Sequence, residues 1–119
     1  MQHGRMERLS QQLQQEIAMI IHQELKDPRL GFVTITRIEL AKDVRHAKVR
    51  FSCLGGEEER EKSQQALDRA AYFIHGLLKK RFHLKTIPVL TFHYDASIED
   101  SIRLSDTFNR IKDDDAGDA

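Results

Sequence analysis

From Glu57 to Phe82 the chain runs without a proline, and Leu67, Ala70 or Ala71, Ile74, Leu77 or Leu78, and Phe82 recur at three- and four-residue steps. Apolar residues at that spacing line one face of an α-helix. This helical span stands between two segments that read as strands, Arg45–Leu54 and Lys85–Tyr94, so the strands of the chain are not consecutive. It is about twice the length of an average helix, and a bend or break is expected inside it. Glu57, Glu58, Glu59 and Glu61 stand at its start, where a helix N-terminus favours negative charge. Gly55-Gly56 ends the strand before it.

Upstream, Leu9, Leu13, Ile17, Ile20 or Ile21, and Leu25 form a second helical stripe over residues 5–25, with glutamines over much of the remaining surface. Pro28 disfavours helical dihedrals at Asp27 and stops this helix, and Gly31 allows a turn. Phe32–Leu40 is rich in β-branched residues and reads as a strand. Its alternation is imperfect: Val33 and Ile35 share one face, Ile38 and Leu40 the other. Either a bulge shifts the register or both faces are partly covered. After a turn at Ala41–Val44, Arg45–Leu54 alternates cleanly, with Ala47, Val49, Phe51 and Cys53 on one side and His46, Lys48, Arg50 and Ser52 on the other. The two strands are expected to pair as an antiparallel hairpin with a basic outer row.

Pro88 lacks an amide donor and suits an edge strand or a strand start. Ser97-Ile98-Glu99-Asp100 is close to a capping box, and Ile98, Ile102, Leu104, Phe108 and Ile111 support a short last helix. The expected order is α-β-β-α-(kink)-α-β-α in one domain of residues 1–112. Residues 113–119 have no large apolar side chain and are expected to form a disordered acidic tail.

The formal net charge of zero hides a division. Residues 1–94 carry 16 Lys and Arg against 11 Asp and Glu, whereas residues 95–119 carry 3 against 8. A basic body with an acidic tail fits a nucleic-acid binder, although many soluble domains carry charges of this size. With a single cysteine, Cys53, and no apolar leader after Met1, a reducing, cytoplasmic setting is expected, with no membrane span.

Lys79-Lys80-Arg81 with Lys85 is the densest basic cluster, four cations in seven residues with no acid between them. Such clusters bind phosphate backbones by releasing condensed counterions. They also complement the negative end of a helix dipole. The row His46, Lys48 and Arg50 adds to the nucleic-acid reading, as does Arg37 if it shares that face. Arg5, Arg8, Lys26 and Arg29 add less. Most aromatics sit in apolar stripes, but Tyr72 and Phe73 are adjacent and cannot both enter one core.

A catalytic centre is not in view. His93, Asp95 and Ser97 are near in sequence, but no nucleophile elbow accompanies them, and Asp95 and Ser97 fit turn and cap roles. The six histidines lack metal-ligand spacing, and Gly55-Gly56 belongs to no nucleotide-binding loop. The order of elements disfavours a double-stranded RNA-binding domain, which needs three consecutive strands between its helices.

Arg5, Arg8, Asp27-Pro28-Arg29, Val33-Thr34-Ile35-Thr36, Ala47-Lys48-Val49 and Pro88-x-Leu90-x-Phe92-x-x-Asp95-x-Ser97 together resemble the ribosome-binding factor A family over residues 5–108. The resemblance implies an α+β fold of type II KH-like architecture, with helices packed on one face of a three-stranded sheet. It implies a helix kink of pattern Ala-x-Gly, here at Ala70-Ala71-Tyr72, where tyrosine stands at the usual glycine. It implies a monomer without cofactor, metal or catalytic residue, which binds the small ribosomal subunit through 16S rRNA beside ribosomal proteins. Such a protein supports late subunit maturation and rRNA processing and matters most in the cold. The RNA-contacting candidates are then Lys79, Lys80, Arg81 and Lys85, followed by Lys48, Arg50, Arg29 and Arg5. The competing reading is a protein-interaction module that uses a strand edge and the acidic tail without touching RNA.

Overall fold

A computed structural model describes residues 2–84 and 86–97. Its elements are α1 (Gln2–Gln23), β1 (Val33–Leu40), β2 (His46–Cys53), α2 (Glu57–Arg81) and β3 (Val89–Tyr94). Lys85, the last predicted helix over Ile98–Ile111 and the tail at 113–119 lie outside the described residues.

β2 is the central strand, antiparallel to β1 and parallel to β3. Both helices lie on the face that carries Ala47, Val49 and Phe51, with α1 against β1 and α2 against β3. Leu13, Ile17 and Ile20 of α1 meet Leu67, Ile74 and Leu78 of α2 over these strand residues, and all are fully buried. Among the described elements none covers the other face of the sheet.

The broken alternation in β1 is a bulge. The register shifts between Ile35 and Arg37, so Ile38 pairs with Val49 and Leu40 with Ala47. The extra residue, Thr36, turns Ile38 and Leu40 back toward the core, which explains apolar residues at both parities. Gln14 of α1 donates its side-chain amide to the carbonyls of Ile35 at 3.1 Å and Thr36 at 3.4 Å, at the point where the ladder is irregular. The shift also puts Arg37 opposite Arg50 on the outer face, as the basic-row reading required.

Local chemistry closes the other junctions. Asp27 and Pro28 open a turn in which the Leu30 amide donates to the Asp27 carbonyl at 3.0 Å. Gly55 has φ 108°, and a Cβ there would come within 2.6 Å of the Glu59 side chain, so the position requires glycine. Glu59 in turn accepts from the Gly56 amide at 2.9 Å, which caps α2, and hydrogen bonds from the backbone amides of Glu59 and Gly56 lower the pKa of the Glu59 carboxyl. β3 starts later than the sequence reading placed it. Pro88 has no donor, and the parallel ladder begins where the Val89 amide reaches the Arg45 carbonyl at 2.8 Å.

Of the expected bend or break, a break is absent: α2 is a single helix across Ala70-Ala71-Tyr72, not two helices. The physical reason is local and tertiary together. Alanine is the strongest helix former, no proline or glycine occupies those three positions, and Leu67, Ile74 and Leu78 form one continuous buried stripe on either side of them. The helix does contain Gly76, where an added Cβ would meet nothing within 4 Å. Gly76→Ala is therefore expected to stabilise the protein by about 0.5–1 kcal/mol, read as a higher urea midpoint at unchanged m.

Candidate nucleic-acid interface

The predicted contact residues divide into groups that the fold keeps apart. Lys79 and Lys80 lie in the last turn of α2, exposed, and have no ion-pair partner among the described residues. Arg81 follows them but points back to α1, with Nη1 2.9 Å from Glu16 and Nη2 3.6 Å from Glu24. It ties the two helices together. Lys85, the fourth member of the cluster, is outside the described residues.

Lys48 and Arg50 occupy the outer face of β2, on the opposite side of the sheet from both helices. Lys48 stands across from Glu39 in the register. Arg50 directs two nitrogens to the Glu39 carboxylate, at 3.3 and 3.4 Å, and Arg37 approaches the same group at 3.0 Å. These cations hold the Glu39 carboxyl below its ordinary pKa, the Arg50 hydrogen bond most of all. One acid among three cations leaves the open sheet face positive.

Arg29 is committed to the turn. Its guanidinium forks onto Asp27 at 2.7 and 3.0 Å, and its amide donates to the same carboxylate at 3.0 Å. These bonds pull the Asp27 carboxyl down to about 2. Arg5 lies near the start of α1, beside a cavity of about 290 Å³ that it lines with Met6, Leu9, Lys42 and Val44. The structure thus does not bring the seven described candidates into one site. Lys79 and Lys80 form one group, Lys48 and Arg50 another, and Arg29, Arg50 and Arg81 are internally ion-paired.

At the expected kink, Ala70 and Ala71 pack against the core while Tyr72 is 89% exposed. Phe73 is half-exposed as well. Phe51 and Phe92 are buried, and Tyr94 packs edge-on against Phe51 at 5.8 Å with the Arg60 guanidinium 3.9 Å over its ring. Phe32 lies exposed just before β1.

His93 and Asp95 do not form a catalytic pair. His93 Nε2 meets the Thr91 hydroxyl at 3.0 Å. Asp95 is buried, accepts from the Thr36 hydroxyl at 2.6 Å and the Ser97 amide at 3.0 Å, and also accepts from the Ser97 hydroxyl. These bonds, those from Ser97 first, hold its pKa below the ordinary value. Asp95 rather than Ser97 therefore caps the helical backbone that begins at Ala96. Cys53 is half-buried on the inward row, and burial pushes its thiol up, away from nucleophilic use. Among the described residues no three His, Cys, Asp or Glu side chains are grouped to hold a metal, and no helix is long and apolar enough to cross a membrane.

Sequence reasoning missed one feature of this surface. Between Asp68 and Asp95 the chain has no acidic residue at all, although Arg69, Lys79, Lys80, Arg81 and Lys85 fall in that interval. The interval covers the second half of α2 and all of β3, which pack together. A scan for acid-free stretches, rather than for clustered cations, finds it.

Comparison with known proteins identifies the family and the fold. The model of the family described as "Ribosome-binding factor A" matches residues 5–108. A relative described as ribosome-binding factor A from Burkholderia cenocepacia is 44% identical over 115 residues, 92% of this chain and 86% of its own. The crystal structure of ribosome-binding factor A from Thermus thermophilus superposes with a TM-score of 0.66 at 31% identity, covering 73% of this chain and 91% of that one. The Thermus thermophilus factor as fitted into the cryo-EM map of a 30S complex gives a TM-score of 0.62 at 30% identity, with the same coverage. The α+β arrangement is the KH-like fold of those structures.

Proposed function

The chain belongs to the ribosome-binding factor A family, and on that premise we propose that it is a non-catalytic assembly factor of the small ribosomal subunit. It binds the free 30S subunit through 16S rRNA, beside neighbouring ribosomal proteins, and promotes late subunit maturation and 16S rRNA processing, including at low temperature. It acts in the cytoplasm as a monomer without a cofactor. Its RNA-binding domain spans residues 1–112, and residues 113–119 form an acidic tail.

The observation that carries this reading is the pair Lys79 and Lys80. The helix dipole accounts for cations at the end of α2. It does not account for their standing exposed, without a carboxylate partner among the described residues, in the middle of a stretch free of acid. Phosphate is the counter-charge that such a surface lacks. The similarity to a protein fitted into a 30S complex supports the same partner. A factor of this kind needs no reacting group. It holds one rRNA conformation by binding it better than the alternatives, and each tenfold preference is worth about 1.4 kcal/mol.

Crosslinking the protein to RNA in cells and sequencing the recovered fragments tests the proposal. Enrichment of small-subunit rRNA is expected. Recovery of messenger RNA, or of no RNA, would overturn it.

A further inference from the structure

We propose that the groove between α2 and β3 is a single-stranded RNA site in which Tyr72 stacks on an unpaired base while Lys79 and Lys80 hold the adjoining phosphates. This deepens the RNA-binding reading above and rests on it.

The groove is an open cavity of about 270 Å³ lined by Ala71, Tyr72, His75, Val89 and Leu90. Its walls are fixed. His75 Nε2 meets the Ile87 carbonyl at 3.1 Å and ties α2 to the segment leading into β3, and Leu90 is buried from below. Its rim is open: Tyr72 is 89% exposed and Val89 54%.

Two positions on this rim are poor choices for stability. Tyr72 presents nearly its whole ring to water, so it adds little to the core. One helical turn on, Gly76 weakens the helix interior although no neighbour requires a missing side chain there. Together they place a bare aromatic face beside a strip of helix with no side chain, which leaves room for a planar group to lie on the ring. Lys79 is seven residues from Tyr72, nearly two full turns, so it lies on the same side of α2 about 10 Å further along the axis. Lys80 adjoins it.

An aromatic platform flanked by cations is how single-stranded nucleic acid is held without sequence readout, because every base offers a π-face and every nucleotide a phosphate. A duplex does not fit, since its base faces are already covered by stacking. A protein partner is disfavoured by the charge. From Arg69 to Tyr94 there is no acid to pair with the cations of a mixed rim, whereas protein interfaces carry a polar rim around an apolar centre.

The chain contains no tryptophan, so Tyr72→Trp installs a single reporter at the site. Its emission is expected to be quenched by a short oligoadenylate and unaffected by a duplex RNA of equal length. By fluorescence anisotropy with labelled oligoadenylate, Tyr72→Ala is expected to bind roughly tenfold more weakly, and Tyr72→Phe within about twofold of the parent. The exposure of Tyr72 means that all three variants should keep the parental melting temperature. Oligoadenylate affinity unchanged in Tyr72→Ala but abolished in Lys79→Glu/Lys80→Glu would overturn the stacking site and leave the phosphate contacts standing. If the parent sediments with small subunits yet binds no oligoadenylate, the site is wrong and the assembly role survives. If Tyr72→Ala no longer binds the subunit at unchanged oligoadenylate affinity, the groove holds a ribosomal protein instead, and the proposal fails.

Discussion

Lys79→Glu/Lys80→Glu is expected to release the protein from the small ribosomal subunit while its thermal unfolding stays within about 2 °C of the parent. Two favourable charge interactions become two repulsive ones. At roughly 1 kcal/mol for each close interaction near a wet surface, the affinity should fall on the order of a thousandfold. The salt dependence should change with it. Removing one phosphate interaction should flatten the plot of log affinity against log salt by about 0.7–0.9, so the variant's slope should be shallower by roughly 1.5. Neither lysine has an ion partner among the described residues, which is why the fold should tolerate the change. Arg81 is deliberately left in place. A glutamate there would face Glu16 and Glu24 and loosen α1 from α2, which would confuse weakened binding with weakened structure. Sucrose-gradient sedimentation with purified subunits, beside a circular-dichroism melt, separates the two effects. Co-sedimentation unchanged by the double substitution would remove these lysines from the interface.

The largest stability effect outside the apolar core is expected at Asp95. Its carboxylate joins three parts of the fold: the bulge in β1 through Thr36, the end of β3, and the helical start at Ser97. Asp95→Ala would strand the half-buried Thr36 hydroxyl and uncap the helical backbone at Ala96 and Ser97, at a cost of about 2–3 kcal/mol and roughly 10 °C in melting temperature. Asp95→Asn tests the charge separately from the shape. The pKa of Asp95 is depressed in the folded state, so the unfolded chain takes up its proton first as pH falls. Its stabilisation is therefore full above the unfolded value near 4 and is lost as pH drops through the lower folded value. The gap in stability between the parent and Asp95→Asn should be constant above about pH 5 and should close toward pH 2. Asp27, whose folded value lies at about 2, has the same sign and remains in both proteins, so acid should still destabilise the variant. A gap that widened in acid would contradict the network.

Much of the architecture was legible because it depends on neighbours in sequence. The turn at Asp27-Pro28 and the acidic start of α2 are made by residues within three positions of one another. The disturbed alternation of Phe32–Leu40 left a bulge or two partly covered faces open, and the register shift at Thr36 decides for the bulge. The length of α2 suggested a bend or break, and no break interrupts it. Length argues for an interruption only when packing fails to support the helix, and here Leu67, Ile74 and Leu78 carry the buried stripe across the whole span.

The candidate site was legible in composition but not in geometry. Counting cations selected Lys79, Lys80, Arg81 and Lys85 first and Lys48, Arg50, Arg29 and Arg5 second, yet the local pair Arg29–Asp27 could have been read from two residues' spacing. Arg81 could not. Its partner Glu16 is 65 residues away, and the pairing exists only because α1 and α2 lie side by side. Asp95 and Thr36, 59 residues apart, meet for the same reason.

By itself, then, the sequence determined the order and approximate spans of α1, β1, β2, α2 and β3, which family they compose, and that the chain is divided into a basic body and an acidic end, since all of these follow from short-range sterics, hydrogen bonding and composition. Only the tertiary structure decided which cations are already neutralised, that the sheet separates Lys48 and Arg50 from Lys79 and Lys80, and that Tyr72 faces water over a groove. Ion pairing and exposure depend on what packs alongside a residue, and at these positions the neighbours come from other elements of the chain.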